Sequence, residues 1–215
     1  MGYDFGMPLD EAMETQRAIR RLKTDPVDEE ILRRVIELAL KAPTGSNAQN
    51  WEFIVVRDAD VKRKLARRNR QAWRIYGSLG RRFNKDPKMD RVLDAVQWQA
   101  DHFEEIPVIV VACLKGVRPW IPHIGASSYY GSIYPSVQNL LLAARSVGLG
   151  AALITLPLWN LISARRILGC PLSVTPCAVI PMGWPLGRYG PTTRRPVEEV
   201  VSIDRYGHRG WRDGG

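Results

Sequence analysis

An α+β or α/β sandwich, with helices over both faces of one sheet, is the fold class that this sequence predicts. Three observations predict it: apolar residues at helical spacing in 28–41 and 132–147, continuous apolar runs at 108–114 and 174–182, and the alternation of these two kinds of segment along the chain. With 215 residues and 45% hydrophobic content the chain supports one substantial core and is short for two, so 1–215 reads as a single domain.

The elements follow in order. Leu9 to Arg20 is read as a helix with Ala12, Met13 and Ile19 as its apolar positions. In Asp28 to Lys41, residues Ile31, Leu32, Val35, Ile36 and Ala39 share a face; Asp28 is the N-cap, Glu29 and Glu30 occupy the positive first turn, and Pro43 with Gly45 closes the far end. After the loop Pro43 to Asn50, WEFIVVR is a strand, and a basic helical stretch runs on to Arg91 with the stripe Val61, Leu65, Ala72, Ile75 and Leu79. Pro107 opens VIVVACL, which the unbroken apolar run places in the middle of the sheet. Pro, Gly, Ser and aromatic residues from Pro119 to Tyr130 predict a loop that folds over a site as a lid. Ser132 to Val147 is a buried helix ending at Gly148, AALIT a short strand, Leu158 to Leu168 a helix stopped by Gly169 and Pro171, and Val174 to Met182 a buried strand before a polar tail.

Composition excludes several classes. No apolar run approaches the roughly 20 residues of a membrane-spanning helix, and the amino terminus lacks a basic region followed by an apolar stretch, so a cytoplasmic protein without a membrane partner is expected. Cys113, Cys170 and Cys177 form no CxxC and no metal-like grouping with the three histidines; free thiols and no metal are expected. The formal net charge of +9 is concentrated between Arg57 and Arg91. A solvated helix face is the plain explanation; attraction of nicotinamide phosphates and weak, unspecific polyanion binding are the alternatives. No zinc-finger, RRM or KH pattern accompanies the charge, so no specific nucleic-acid partner is expected.

Four constellations carry candidate chemistry. Arg17, Arg20 and Arg21 present guanidinium forks suited to phosphate or a carbonyl edge, or alternatively to surface ion pairs. APTGSNAQNW (42–51) offers Ser, Asn and Gln to a planar heterocycle, or is an ordinary connection. GLGAALITLPL (148–158) lacks the third glycine of a dinucleotide fingerprint and follows a helix, which leaves backbone N–H groups at Thr155 and Leu156 as its offer. Arg194 and Arg195 before Pro196 suit a phosphate dianion, or are solvated charge. His102, His123 and His208 stand beside no nucleophile motif.

Taken in order, TQRAIRRLKTDPV, APTGSNAQNW, VQNLLLAARSVGLGAALIT, IPMGWP and TRRPVEEVV resemble the FMN-dependent nitroreductase family from about Leu9 to about Val201. The resemblance implies a three-layer α/β/α sandwich with a mainly antiparallel central sheet, and a homodimer with two sites at the subunit interface. It implies FMN as cofactor, NADPH or NADH as reductant, and reduction of a nitroaromatic, quinone or enone by a ping-pong mechanism. Carried onto this chain, it puts Arg17, Arg20 and Arg21 around the FMN phosphate and the pyrimidine edge, with Arg20 the catalytic cation that stabilises charge on N1 and O2 of the reduced ring. Pro43, Thr44, Ser46 and Asn47 contact the ring from the other subunit, Ser132 and Ile133 border it, Thr155 and Leu156 direct N–H groups to N5, and Arg194 with Arg195 grips the phosphate. The tail from about Pro196, with Val197, Val200, Val201 and Ile203, packs on the partner. Three positions depart from the family pattern: Asn50 replaces a proline, Gln16 an arginine and Ala18 a serine, with Arg17 the available substitute for the arginine. A flavin store or sensor without turnover, reductive dehalogenation on the same fold and, more distantly, nucleic-acid binding are the alternative readings.

Overall fold

The computed structural model describes residues 3–116 and 122–209. Its sheet has four strands, β1 (Trp51–Val56), β2 (Val108–Lys115), β3 (Gly150–Ala151) and β4 (Val174–Gly183), in the order β1-β2-β4-β3 with every pairing antiparallel. β2 is central, as its unbroken apolar run requires. Val108, Val110, Ala112 and Leu114 enter one core with α2 (Glu29–Ala39) and α6 (Tyr134–Ser146). The alternate residues Ile109, Val111 and Cys113 enter a second core with Leu65 and Ala66 of α3 (Ala59–Phe83) and with Phe103. The two-residue period of the strand thus builds the three-layer α/β/α sandwich.

α2 forms where the periodicity places it: Asp28 Oδ1 accepts from Glu30 N–H at 2.7 Å, and Ile31, Leu32, Val35 and Ala39 are buried. α1 (Leu9–Thr15) is shorter than the predicted Leu9 to Arg20, because Gln16 turns extended (ψ 123°) and Ile19 N–H donates to Ala151 O at 3.0 Å. Residues 16–22 therefore run beside the sheet, and Leu22 bridges Pro185. The predicted single basic helix is two, α3 and α4 (Pro87–Asp101). Asn84 is extended, Asp86 caps α4 by accepting from Lys88 N–H at 2.8 Å, and Pro87 takes the first turn, where its missing N–H costs nothing. The buried face of α3 is Leu65, Ala66, Asn69, Ala72, Trp73 and Gly77. Ile75 and Leu79 of the predicted stripe are exposed, because the end of the helix meets α4 through Gly80, where a Cβ would lie 3.1 Å from Leu93 Cδ2.

The predicted loop Pro119 to Tyr130 is from Pro122 onward a helix, α5 (Pro122–Gly131); Pro119 and Trp120 lie outside the described residues. Composition favoured a loop, but Tyr129 is buried in the first core, so packing decides for helix. The predicted strand AALIT contracts to β3 and an isolated bridge between Ile154 and Val179, after which Leu156–Leu158 forms a 3-10 turn. α7 (Leu161–Leu168) ends at Gly169 in the left-handed region (φ 68°), and α8 (Val197–Val200) is a single turn in the tail. No described helix is long and apolar enough to cross a membrane.

Candidate active site

The site begins with a glycine. At Gly150 a Cβ would meet Ile19 Cγ2 and Leu22 Cδ2, each at 2.7 Å, so glycine lets segment 16–22 lie this close to β3 and a larger residue would force Ile19 and Leu22 to shift. Extended backbone then sorts the arginines by its period of two. Leu22 turns into the core, Arg20 is half-buried, and Arg21 is exposed, with its carbonyl accepting from Leu186 N–H at 3.0 Å. From the other end of the chain, Thr192 fastens to Glu14 O through its N–H (2.9 Å) and its hydroxyl (3.0 Å). Tyr189 hydroxyl donates to Leu149 O, and the Arg145 guanidinium covers its ring at 4.2 Å. Burial pushes the Tyr189 phenol up to about 12.

These ties enclose a cavity of about 800 Å³ lined by Gln16, Arg17, Ala18 and Arg20, by Pro191 to Arg194, by Leu141 and Leu153, and by Lys88, Arg91, Val92 and Ala95 of α4. Five cations and no carboxylate line it. Arg20 Nε is buried without a hydrogen-bond partner, and desolvation holds the guanidinium below its ordinary pKa. A buried, unpaired donor costs roughly 1–3 kcal/mol.

The cavity gathers Arg17, Arg20 and Arg194 of the sequence-predicted residues and does not include Arg21 or Arg195. Thr155 and Leu156 follow Leu153 of its wall. Their N–H groups precede the 3-10 bond that Leu158 N–H makes to Thr155 O (2.8 Å), so they have no intrahelical acceptor. The loop residues stand elsewhere. Thr44 Oγ1 accepts from Gln49 N–H and Ser132 Oγ from Gly45 N–H, each at 3.1 Å, while Trp51 Nε1 donates to Ser132 O at 2.7 Å. These bonds hold Ser46, Asn47 and Gln49 at φ 52°, 50° and 45°, a left-handed conformation that costs roughly 1–2 kcal/mol per residue. Pro43, Ser46 and Asn47 are exposed, and Ser132 and Ile133 are buried beneath them. Ser132 lies just before α6 and Leu141 of the cavity in its later half, roughly 13 Å further along at 1.5 Å per residue, and neither the loop nor Ser132 is part of the cavity lining.

Gln16 and Ala18 entered the sequence reading only as departures from the family pattern, and Lys88, Arg91, Val92, Ala95, Leu141, Leu153 and residues 191–193 were not assigned to the site. Lys88, Arg91, Val92 and Ala95 repeat at i, i+3, i+4 and i+7, a signal legible once Asp86-Pro87 is read as a helix start. Among the described residues no group of acidic, histidine or cysteine side chains is placed to hold a metal.

The fold is an antiparallel α/β/α sandwich whose sheet edge carries an arginine-lined cavity, with no carboxylate among the described residues that line it. The Nitroreductase family model matches residues 13–184, and the chain belongs to that family. It is similar to the putative NADH dehydrogenase/NAD(P)H nitroreductase of Methanothermobacter thermautotrophicus, 30% identical over 181 residues, covering 83% of this chain and 78% of the relative. Iodotyrosine deiodinase 1 of Rattus norvegicus is 29% identical over 200 residues, covering 90% of this chain and 68% of the relative. A putative nitroreductase in complex with FMN from Desulfovibrio desulfuricans shares the fold with a TM-score of 0.68 at 23% identity, covering 93% of this chain and 98% of that one.

Proposed function

We propose that this chain is an NAD(P)H-dependent FMN oxidoreductase that reduces a small electrophilic acceptor, a nitroaromatic, quinone or enone, with ping-pong kinetics. One observation carries the reading: in a member of the Nitroreductase family, the acid-free arginine cavity buries an unpaired Arg20 Nε. Its volume and its chemistry fit FMN, whose phosphate asks for cations and whose ring asks for fixed N–H donors. Arg17 and Arg194 hold the phosphate, Arg20 faces the pyrimidine edge, and the Thr155 and Leu156 N–H groups meet the ring. FMN, when bound, accepts hydride from a nicotinamide and passes it to a second substrate.

The chain's own contribution is electrostatic and steric. Arg20 is a cation fixed before reaction at an edge that gains negative charge, so little reorganisation is needed during turnover. Leu141, Leu153, Val92 and Ala95 give the cavity its apolar wall. The strained loop Pro43, Thr44, Ser46 and Asn47, seated on Ser132 and Ile133, forms no part of the wall of its own cavity and completes that of a neighbouring copy, so the working unit is a homodimer of single-domain chains. Reductant and acceptor enter one cavity in turn.

Purified protein is expected to be yellow, to release FMN on heating, and to bleach anaerobically on addition of NADPH or NADH. Double-reciprocal plots with a nitroaromatic are expected to be parallel. A colourless protein that FMN does not reconstitute overturns the cofactor assignment; bleaching without turnover makes the chain a flavin store. Halotyrosines belong on the acceptor panel because an iodotyrosine deiodinase is among the relatives.

A further inference from the structure

Two cations of the cavity remain outside the FMN assignment, Lys88 and Arg91. α4 sorts its charges by face. Two of its three acids are engaged from the α3 side, where Asp94 Oδ1 accepts from Arg81 at 2.9 Å and Asp90 Oδ1 from Asn84 Nδ2 at 2.7 Å, and the third, Asp101, accepts from Gln97 of α4 itself at 3.0 Å. Lys88 and Arg91, one turn apart, line the cavity with Val92. Some cations of this helical hairpin are paired among the described residues, Arg63 and Lys64 with Asp60 and Arg70 with Glu104, and others such as Arg67, Arg74 and Arg82 are not, but of the hairpin's cations only Lys88 and Arg91 line the cavity. Lys88 and Arg91 make no ion pair among the described residues, and both are exposed at the rim.

A phosphate monoester carries about −1.5 to −2 at neutral pH, which Arg17 and Arg194 already match, with Arg20 left to the pyrimidine edge. A second anionic group is what balances the rim. We propose that Lys88 and Arg91 form a subsite for a second phosphate monoester, the 2′-phosphate of NADPH, and that the chain therefore prefers NADPH to NADH; this rests on the FMN reading of the same cavity. A planar fork beside a point charge, one helical turn apart, suits a tetrahedral dianion, whereas a carboxylate on an acceptor is satisfied by the fork alone. The location agrees, because a dinucleotide that inserts its nicotinamide leaves its adenosine half at the cavity mouth, where these two side chains stand.

The test uses the FMN-loaded protein, as parent and as a Lys88→Gln, Arg91→Gln double variant. Calorimetric titration with 2′,5′-ADP and with 5′-AMP reads the subsite without turnover, and KM for NADPH and NADH reads it in turnover. The parent is expected to bind 2′,5′-ADP about tenfold or more tightly than 5′-AMP, as two charge-assisted contacts at an exposed rim allow. The double variant loses that advantage, and its KM for NADPH rises about tenfold while that for NADH moves far less. Arg91→Lys, which keeps charge and fold, retains part of the preference. If the double variant does not fold, the titration of the parent and of Arg91→Lys decides.

Equal losses for both nucleotides, or a parent that does not distinguish 2′,5′-ADP from 5′-AMP, overturn the proposal. So does release of FMN from the double variant, which makes the pair an FMN phosphate clamp, and so does a KM change confined to 4-nitrobenzoate relative to nitrobenzene, which assigns the rim to an acceptor carboxylate. A parent that holds no FMN refutes the cofactor reading alone; the same titrations made on the FMN-free parent and double variant then decide whether Lys88 and Arg91 bind the 2′-phosphate.

Discussion

Replacing Arg20 by methionine separates what this side chain costs the fold from what it gives the ligand. In the chain by itself Arg20 Nε is buried without a partner, and desolvation lowers the pKa of the guanidinium, so the charge is held in place against its solvation. Removing such an orphaned donor relieves roughly 1–3 kcal/mol. The methionine stem keeps most of the apolar packing, and because part of Arg20 still reaches solvent the lower end of that range applies. A gain of about 1 kcal/mol corresponds to a rise of about 2–4 °C in Tm for a chain of this length. With FMN the sign reverses. One charge-assisted hydrogen bond, about 1.5–3 kcal/mol, is lost, and affinity falls by about tenfold to a hundredfold at 1.36 kcal/mol per decade. Differential scanning calorimetry of the FMN-free protein and quenching of flavin fluorescence on titration measure the two effects separately. Arg20→Lys is expected to recover part of the affinity, because an ammonium keeps the charge and loses the planar fork. A methionine variant that is less stable without FMN and binds FMN as the parent does would refute the reasoning, since Arg20 would then be a structural cation satisfied by solvent.

Other outcomes follow from particular contacts. Gly150→Ala places a Cβ 2.7 Å from Ile19 and Leu22 and pushes segment 16–22 off β3; a loss of about 1–3 kcal/mol in urea melts is expected, with FMN affinity falling alongside because Arg17 and Arg20 ride on that segment. Tyr189 is an acid whose folded pKa, about 12, lies above its ordinary value of 10, so the stability it contributes is complete below pH 10 and is lost as pH rises from 10 to 12. Two pK units set a ceiling of about 2.7 kcal/mol on that loss. Comparing melts at pH 9 and 11, Tyr189→Phe should lose less stability than the parent; Cys177, raised to about 11 by burial, titrates in the same window and leaves a residual slope in both. Ser132→Ala strands Gly45 N–H at the base of the strained loop and is expected to cost about 1 kcal/mol; thermal melts check that figure, and looser FMN binding checks the placement of the loop over a partner's cavity. Sedimentation of the parent should show a dimer, and a 24.3 kDa species that keeps flavin and turnover would remove the shared site.

Periodicity and punctuation determined most of this fold in advance. The unbroken run Val108 to Leu114 admits only a strand covered on both faces, and that position fixes two helical layers. Asp28 with the spacing of Ile31, Leu32 and Val35 defines α2, and Gly169 ends α7, because caps and left-handed glycines are local effects written in single residues. The ordered motifs, from TQRAIRRL to TRRPVEEVV, carried the family resemblance. What the sequence withheld depends on contacts between distant segments. Residues 16–20 read as helix until Ile19 N–H finds Ala151 O and Gly150 opens room for the chain, and only the extended backbone then separates Arg20 from Arg21. Pro, Gly and Ser near 122–131 read as a loop until Tyr129 is buried, and that packing outweighs local propensity. Lys88 and Arg91 belonged to a run of solvated charge until the break at Asn84 turned α4 back on α3 and brought one of its faces to a cavity built by residues 16–20 and 191–194. Charge along a chain records how many cations there are; only the tertiary structure decides which of them lose their solvent and their partners together, and so which are left for a ligand.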